Sequence, residues 1–418
     1  MKTKIKITKK NLLALAFFLS LNTFSQKNCT VLSGSFVPIE NLGTGTYMTF
    51  QGGQYPLGSN VRPSIQLTRA LNQVNTIVPL NTLGVADPVN GKIVMAGIGA
   101  SNPRTEFTAF KQYCDTFQCL NKKLKVVNTC KGGTGIQDMA NATDPCWNEA
   151  IDTLLYYSVT NLQVQIVWIE QEHTGNSNTS FPSAPQQLVN NYKTLLEVVL
   201  QKYPNVKIAY INSRAYSGYA DNSIGFGLRA PRDYYNSWAV KWLIEKQIND
   251  QTGFEYTGVN KNIPFIDWAT NSWANGDILK PDGFFWDCLN DFGSSDGLHL
   301  SAIGEKKVGK RLFNYFSTDT TGKPWFLDAS CNATVTGIKS NNLNVGEVSF
   351  YPNPTSNVLN IKSEFTFDYV IYNNLGQGVK KGKHNGTNSS VDISDLEKGI
   401  YFIRAINESS TAKKILIN

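Results

Sequence analysis

Three residues of this 418-residue sequence have the types and spacing of a nucleophilic centre: Ser101 and, far downstream, Asp296 and His299. A serine hydroxyl attacks a carbonyl efficiently when a base takes its proton and a carboxylate fixes the tautomer of that base. Asp296 and His299 stand three residues apart in SSDGLHLSAIGEKKVGKRLFNYF (294 to 316), directly before a helical pattern, so one turn delivers both groups. Ser101 follows the apolar run KIVMAGIG (92 to 99) and precedes a helical pattern from about Arg104. A strand-to-helix turn presents a side chain at the top of a sheet, beside the backbone donors and partial positive charge of a helix N-terminus. A serine there is also an ordinary N-cap, so the assignment gains its weight from the Asp-x-x-His block. Of the three histidines, His384 lies near the C-terminus and His173 is the competitor for the role of base.

The elements that must position these residues are legible as alternation. The β-branched runs KIVMAGIG, LKVVN (124 to 128), VQIVWI (164 to 169), VKIAYIN (206 to 212) and IPFIDW (263 to 268) are nearly continuously apolar, which marks strands buried on both faces. Between and after them lie helical patterns at Gln186 to Tyr203, Asp233 to Asn249 and Ala302 to Phe316. This predicts an α/β domain with a three-layer, doubly wound, flavodoxin-like parallel sheet, whose ligands bind at the carboxyl ends of the strands.

The order of these blocks resembles the SGNH (GDSL-type) hydrolases, which carry the nucleophile after the first strand and D-x-x-H near the end. The resemblance implies that Ser101, His299 and Asp296 are nucleophile, base and orienting acid of a serine esterase. It implies an oxyanion hole of the Ser101 N–H, a glycine N–H and an asparagine side chain. Gly133, in TCKGGTG, is the glycine chosen, with Gly132 beside it. The sequence departs from the family pattern twice: G-D-S-L reads G-A-S-N, and the asparagine block reads Glu170, Gln171, Glu172, His173. Gln171 is the candidate substitute donor, and loss of one such donor costs about 10²- to 10³-fold in rate. Trp268, Trp273, Phe284, Phe285 and Trp286 crowd the stretch before D-x-x-H; Trp273 and Trp286 are the candidate sugar-binding faces, although aromatic rings also pack long loops onto sheets.

The remaining patterns concern location. Five of the first ten residues are lysine, so the net charge falls from +7 to 7 − 5 = +2 without them, and no basic stripe suggests nucleic acid. Those lysines, the apolar run LLALAFFLSL (12 to 21) and NTFSQ have the layout of a signal peptide over residues 1–26. The apolar stretch is shorter than the roughly 20 residues that span a bilayer, so no transmembrane segment is expected. Export makes disulfides plausible for the seven cysteines, with Cys29–Cys331 the long-range candidate and one thiol left free. With no CxxC pair and three histidines, a cysteine-histidine zinc site is not expected, and the serine-esterase reading calls for no metal or organic cofactor.

Residues 27–329 are assigned to the α/β domain and the Ser, Thr, Asn and Gly-rich residues 330–347 to a linker. From 348 to 418, short strands with Asn, Gly and Pro punctuation predict a small C-terminal β-sandwich. FYPNPTSNVLNI, VIYNNLGQ, DLEKGIYFIRA and the closing KKILIN resemble the C-terminal sorting domain of type IX secretion in Bacteroidota, with a generic carbohydrate-binding or Ig-like module as the alternative. The whole chain therefore reads as a secreted or surface esterase, carried by that machinery and acting on an acyl ester, such as acetyl, of a carbohydrate or related polymer. The alternatives are a non-catalytic carbohydrate-binding protein on a degenerate scaffold, and a glycosidase or lyase built on paired carboxylates.

Overall fold

A computed structural model of the chain describes residues 27–30, 36–221, 224–293, 296–332, 348–373, 377–406 and 413–418. The signal-peptide assignment, residues 1–26, lies outside them, as do residues 333–347 of the assigned linker.

Five strands form the central sheet: β1 (Ile93–Gly99), β2 (Leu124–Asn128), β3 (Val164–Glu170), β4 (Ile208–Ser213) and β5 (Phe265–Asn271). They pair in parallel in the order β2-β1-β3-β4-β5. All but β2 are buried along their whole length, which is why they read as apolar runs without alternation. The order reverses at β1, since β2 lies on one side of it and β3 on the other. Right-handed crossovers then leave by opposite faces. Helix α1 (Ser101–Thr116) packs against α4 (Ala302–Thr318), and α2 (Ser183–Lys202) against α3 (Arg232–Ile248). This is the doubly wound three-layer architecture expected from the alternation.

Each helix meets the sheet through bulky apolar groups. Phe107 and Phe110 of α1 are fully buried, and Phe107 stacks on Trp168 of β3 with ring centroids 5.3 Å apart. Strand β5 is tied to the N-terminal segment by Asp267, which accepts from the Tyr55 hydroxyl at 2.9 Å and pairs with Arg62 at 2.7 Å.

The C-terminal unit is a five-stranded antiparallel sheet of β6 (Ser349–Tyr351), β7 (Val358–Tyr372), β8 (Gly378–Asp392), β9 (Gly399–Ile406) and β10 (Lys413–Ile417). The long β7–β8 hairpin shifts register between Asn385 and Thr387, where Gly386 and Thr387 have positive φ. A bulge of this kind bends the ribbon. Apolar residues from both ends of β7 share one cluster with β8, β9 and β10, giving the small sandwich its own core, separate from that of the α/β domain.

Three expectations are corrected. The bridges are Cys29–Cys288 and Cys119–Cys331, not Cys29–Cys331. Cys114, Cys130 and Cys146 are all free, so three thiols remain rather than one. Residues 329–332, the last three of which the linker was assigned from 330, form a helical turn that the Cys119–Cys331 bridge fastens to the α/β domain. Each bridge closes a loop of more than 200 residues, 259 and 212 apart in sequence. Constraint of the unfolded chain on that scale is worth several kcal/mol in the loop-entropy picture.

Two outcomes are expected. Peptide mapping without reductant should recover the 29–288 and 119–331 linked pairs; recovery of a 29–331 peptide would contradict the fold. Deleting residues 345–418 should leave a cooperatively melting α/β domain, because the two cores are separate.

Candidate active site

The reversal of strand order opens a crevice above the carboxyl ends of β1 and β3, and a pocket lies there. Its lining includes Ser101, Asn102, Gly133, Glu170, Arg214 and Leu298. Ser101 is the first residue of α1, two positions beyond the end of β1. Its Oγ is 2.9 Å from His299 Nε2, and His299 Nδ1 is 2.6 Å from Asp296 Oδ2. The three residues thus form a continuous chain, with the Asp296 side chain largely covered and the His299 side chain half exposed at its open end.

Local structure fixes that chain in two ways. Asp296 Oδ1 accepts from the backbone N–H groups of Leu298 and His299, closing the D-x-x-H turn on itself. Partial burial disfavours the Asp296 carboxylate, but the hydrogen bonds from the His299 ring and these two N–H groups outweigh it and hold the carboxyl below its usual range. Gly297 has φ +66° and a Cβ there would lie 2.1 Å from Tyr219 O, so glycine is required at that position. The second device joins the two ends of the site. Asn102 Nδ2 donates to Leu298 O at 2.9 Å, and its Oδ1 accepts from Leu300 N at 3.3 Å. The residue that made G-A-S-N look irregular is the clamp between α1 and the histidine loop; its signal in the sequence was its place next to Ser101.

Gly133 reaches the pocket on the loop after β2. Thr129 Oγ1 donates to Gly97 O and Lys131 N to Gly99 O, which lashes that loop to β1. Gly133 has φ +81° and space for a group to approach, since a Cβ would meet nothing within 4 Å. Gln171 also lines the pocket, but its amide is committed elsewhere: Nε2 donates to Thr134 O and stands 3.0 Å from Met139 Sδ, while Oε1 accepts from Glu172 N. As placed, it has no amide donor to offer an oxyanion, which corrects the role assigned to it. Trp273 and Trp286 are likewise corrected. Both are fully buried, with Nε1 donating to Asp233 and to Ser272 O respectively, so they are core residues with no face for a sugar. The imidazole bonded to Ser101 Oγ is that of His299 rather than His173, and His384 is buried in the C-terminal unit against Ser363 O.

A group of buried carboxyls under the pocket went unnoticed in the sequence. Glu106 of α1 and Glu170 at the end of β3 face each other, both fully buried. No hydroxyl or N–H hydrogen-bonds to either Glu106 oxygen. Two ionised carboxylates are acceptors only, so they satisfy each other when one carries a proton. Burial, with Glu170 beside it, pushes Glu106 well above the usual carboxylate range. Burial also pushes Glu170 up to about 7, against the opposing hydrogen bond from Asn212 and the charge of Arg214. Nearby, Glu172 is paired with Arg232 at 2.6 Å, both nearly inaccessible.

Comparison with known proteins gives a firm result for one part of the chain. Residues 349–418 match the family model described as a secretion system C-terminal sorting domain. This segment is a type IX sorting domain, and it marks the chain for export to the cell surface or beyond through that machinery. No curated protein matches the chain. Among solved structures, an acetyl xylan esterase is similar at 13% identity and a TM-score of 0.29, over 53% of this chain and 98% of that one. A gut microbial diltiazem-metabolizing enzyme is similar at 11% identity and a TM-score of 0.29, over 70% of this chain and 61% of that one. Superpositions of that quality assign neither chemistry nor substrate.

The carboxyl pair generates a prediction about stability. In the folded state Glu106 binds its proton more tightly than in the unfolded chain, so folding takes up a proton above the unfolded value of 4.5 and stability is lost as pH rises from there. Glu106→Gln removes that dependence. Its melting temperature relative to the parent should be higher at pH 8 than at pH 5, the gain growing by up to about 1.4 kcal/mol per pH unit. An equal difference at both pH values would show that the pair is not protonated on folding.

Proposed function

We propose that the chain is an exported serine esterase of SGNH type, hydrolysing an acyl ester, acetyl among the candidates, of a carbohydrate or related polymer. The observation that carries the reading is the Ser101–His299–Asp296 chain opening into the pocket at the strand-order reversal. His299 Nε2 takes the hydroxyl proton as Ser101 Oγ bonds to the ester carbonyl carbon. The same nitrogen then protonates the leaving alkoxide as the C–O bond breaks. A water, activated by His299 from the half-exposed side of the ring, hydrolyses the acyl-enzyme and returns the serine. Asp296 keeps the Nδ1 proton in place and stabilises the imidazolium. The backbone N–H groups of Ser101 and Gly133 are the donors proposed for the oxyanion, Gly133 because its backbone admits close approach. The sorting domain supports an extracellular substrate, and esterified polysaccharide is a target of that kind.

Purified protein should therefore be labelled by a fluorophosphonate at Ser101 and should hydrolyse an activated acetyl ester. Ser101→Ala should abolish both, and His299→Ala should lower kcat by about 10²- to 10⁴-fold. Asp296→Ala should cost less than either, and the losses should not add, because the three act as a unit. Asn102→Ala should lower kcat by loosening the histidine loop. His173→Ala should stay close to the parent rate. Absence of labelling, or loss of activity in His173→Ala with His299→Ala unaffected, would rule out the assignment in favour of a non-catalytic binding protein or a different centre.

A further inference from the structure

The proposed centre has two backbone donors for the oxyanion, and the side chain expected to be the third, Gln171, is turned to Thr134 and Met139. Glu170 lines the same pocket. Glu170 is the last residue of β3, in register with Gly99 at the end of β1, and it lines the pocket together with Ser101 and Gly133. Asn212 Nδ2 donates to its Oε2 at 2.7 Å, and Asn212 in turn is held by Ser272, Thr270 and the backbone. One oxygen of Glu170 is therefore fixed from below by the sheet edge.

Building on the serine-esterase reading, we infer that Glu170, in its protonated form, donates the third hydrogen bond to the oxyanion that develops on the substrate carbonyl. An ionised carboxylate at this place would repel that charge, whereas a neutral carboxylic acid offers one O–H and can replace an amide donor. The proton stays with Glu170 throughout: it is shared with the oxyanion while the tetrahedral intermediate exists, and it is not transferred to product. Covalent bonds are made and broken only at Ser101, the carbonyl carbon, His299 and water.

The surroundings of Glu170 support this. Glu106 faces it from α1, and Arg214 lies beyond the end of β4. Cys130 adjoins from the loop after β2, Tyr192 from α2, and Glu305 of α4 acts on Glu106. Glu106, Glu170 and Arg214 together carry one positive and at most two negative charges. Holding one proton between the carboxyls leaves this buried group neutral, and holding two makes Glu170 a donor. With Glu170 titrating at about 7, the donor is present below that pH and lost above it. Activity should therefore fall on the alkaline side as Glu170 loses its proton.

The test begins with fluorophosphonate labelling of Ser101 in the full-length protein, which decides the serine-esterase reading separately; without labelling, that reading and this inference both fall. Given labelling, kcat/KM for an activated acetyl ester is measured from pH 5 to 9 for the parent, Glu170→Ala and Glu170→Gln. Glu170→Ala should lose about 10²- to 10³-fold, the range for one oxyanion donor. Glu170→Gln supplies an amide N–H at every pH, so it should recover most of that loss and abolish the fall above neutrality. The ratio of kcat/KM for Glu170→Gln to that of the parent should rise about tenfold per pH unit above 7, as expected for loss of a single proton. Should Glu170→Ala fail to fold, the pH profile of the near-isosteric Glu170→Gln decides alone. A parent-like alkaline limb in Glu170→Gln, or a rate as low as that of Glu170→Ala at all pH values, overturns the inference while leaving Ser101 as nucleophile.

Discussion

The α/β domain depends on one topological constraint, the reversal of strand order around β1. With β2 on one side and β3 on the other, the crossovers leave by opposite faces and a crevice is left at the carboxyl ends of β1 and β3. Ser101 enters that crevice from β1, Gly133 from β2, and Glu170 from β3. The histidine loop comes from outside the β1–β3 edge. It is brought in because α4 packs on α1 and Asn102 hydrogen-bonds Leu298 and Leu300, 196 and 198 residues away. An amide at that position satisfies two backbone groups at once, which a helix N-terminus and a loop of fixed shape both need.

Electrostatics at the same edge are unusual for a buried region. Glu106, Glu170, Glu172 and Asp233 are all inaccessible, and Arg214 and Arg232 are nearly so. Glu172 and Arg232 neutralise each other directly, with Asn236 donating to the second Glu172 oxygen. Asp233 accepts from Ser217 N and Trp273 Nε1, although burial still raises it above the usual range. Neither oxygen of Glu106 has a donor, so a proton is the partner available to the Glu106–Glu170 pair. Burying charge without a partner costs several kcal/mol, which is tolerable at a site with a use for it and a liability elsewhere.

The two units of the chain divide the labour by physics as well as by sequence. The α/β domain is closed by two long-range disulfides and a single apolar core. The sorting domain has no cysteine and relies on a compact cluster of eleven buried residues in a bent antiparallel sheet. The Cys119–Cys331 bridge fixes the chain at the last described turn before the two units part, so the domain end is set by a covalent bond rather than by composition.

What the sequence determined by itself was local. Five buried strands and their helices were legible because a strand covered on both faces must be apolar along its length, and their observed limits differ from the reading by up to three residues, as with Phe265–Asn271 against 263 to 268. Asp296 and His299 were legible because three residues of one turn suffice to join them, and Ser101 because a strand-to-helix turn is a local event. The sorting domain was legible because its motifs recur in order to the terminus. Tertiary structure decided everything that depends on which distant groups meet. Cysteine pairing follows the separation of Cα atoms, 5.6 and 5.7 Å in the two bridges, which spacing in sequence does not encode. Trp273 and Trp286 became core because hydrogen-bond partners for their indole N–H groups wait inside, and Gln171 lost its donor role because Thr134 and Met139 take up its amide. Asn102 and Glu106 were unremarkable letters until the fold placed a loop against one and a second carboxyl against the other, since a side chain's role in a folded protein is set by its neighbours in space.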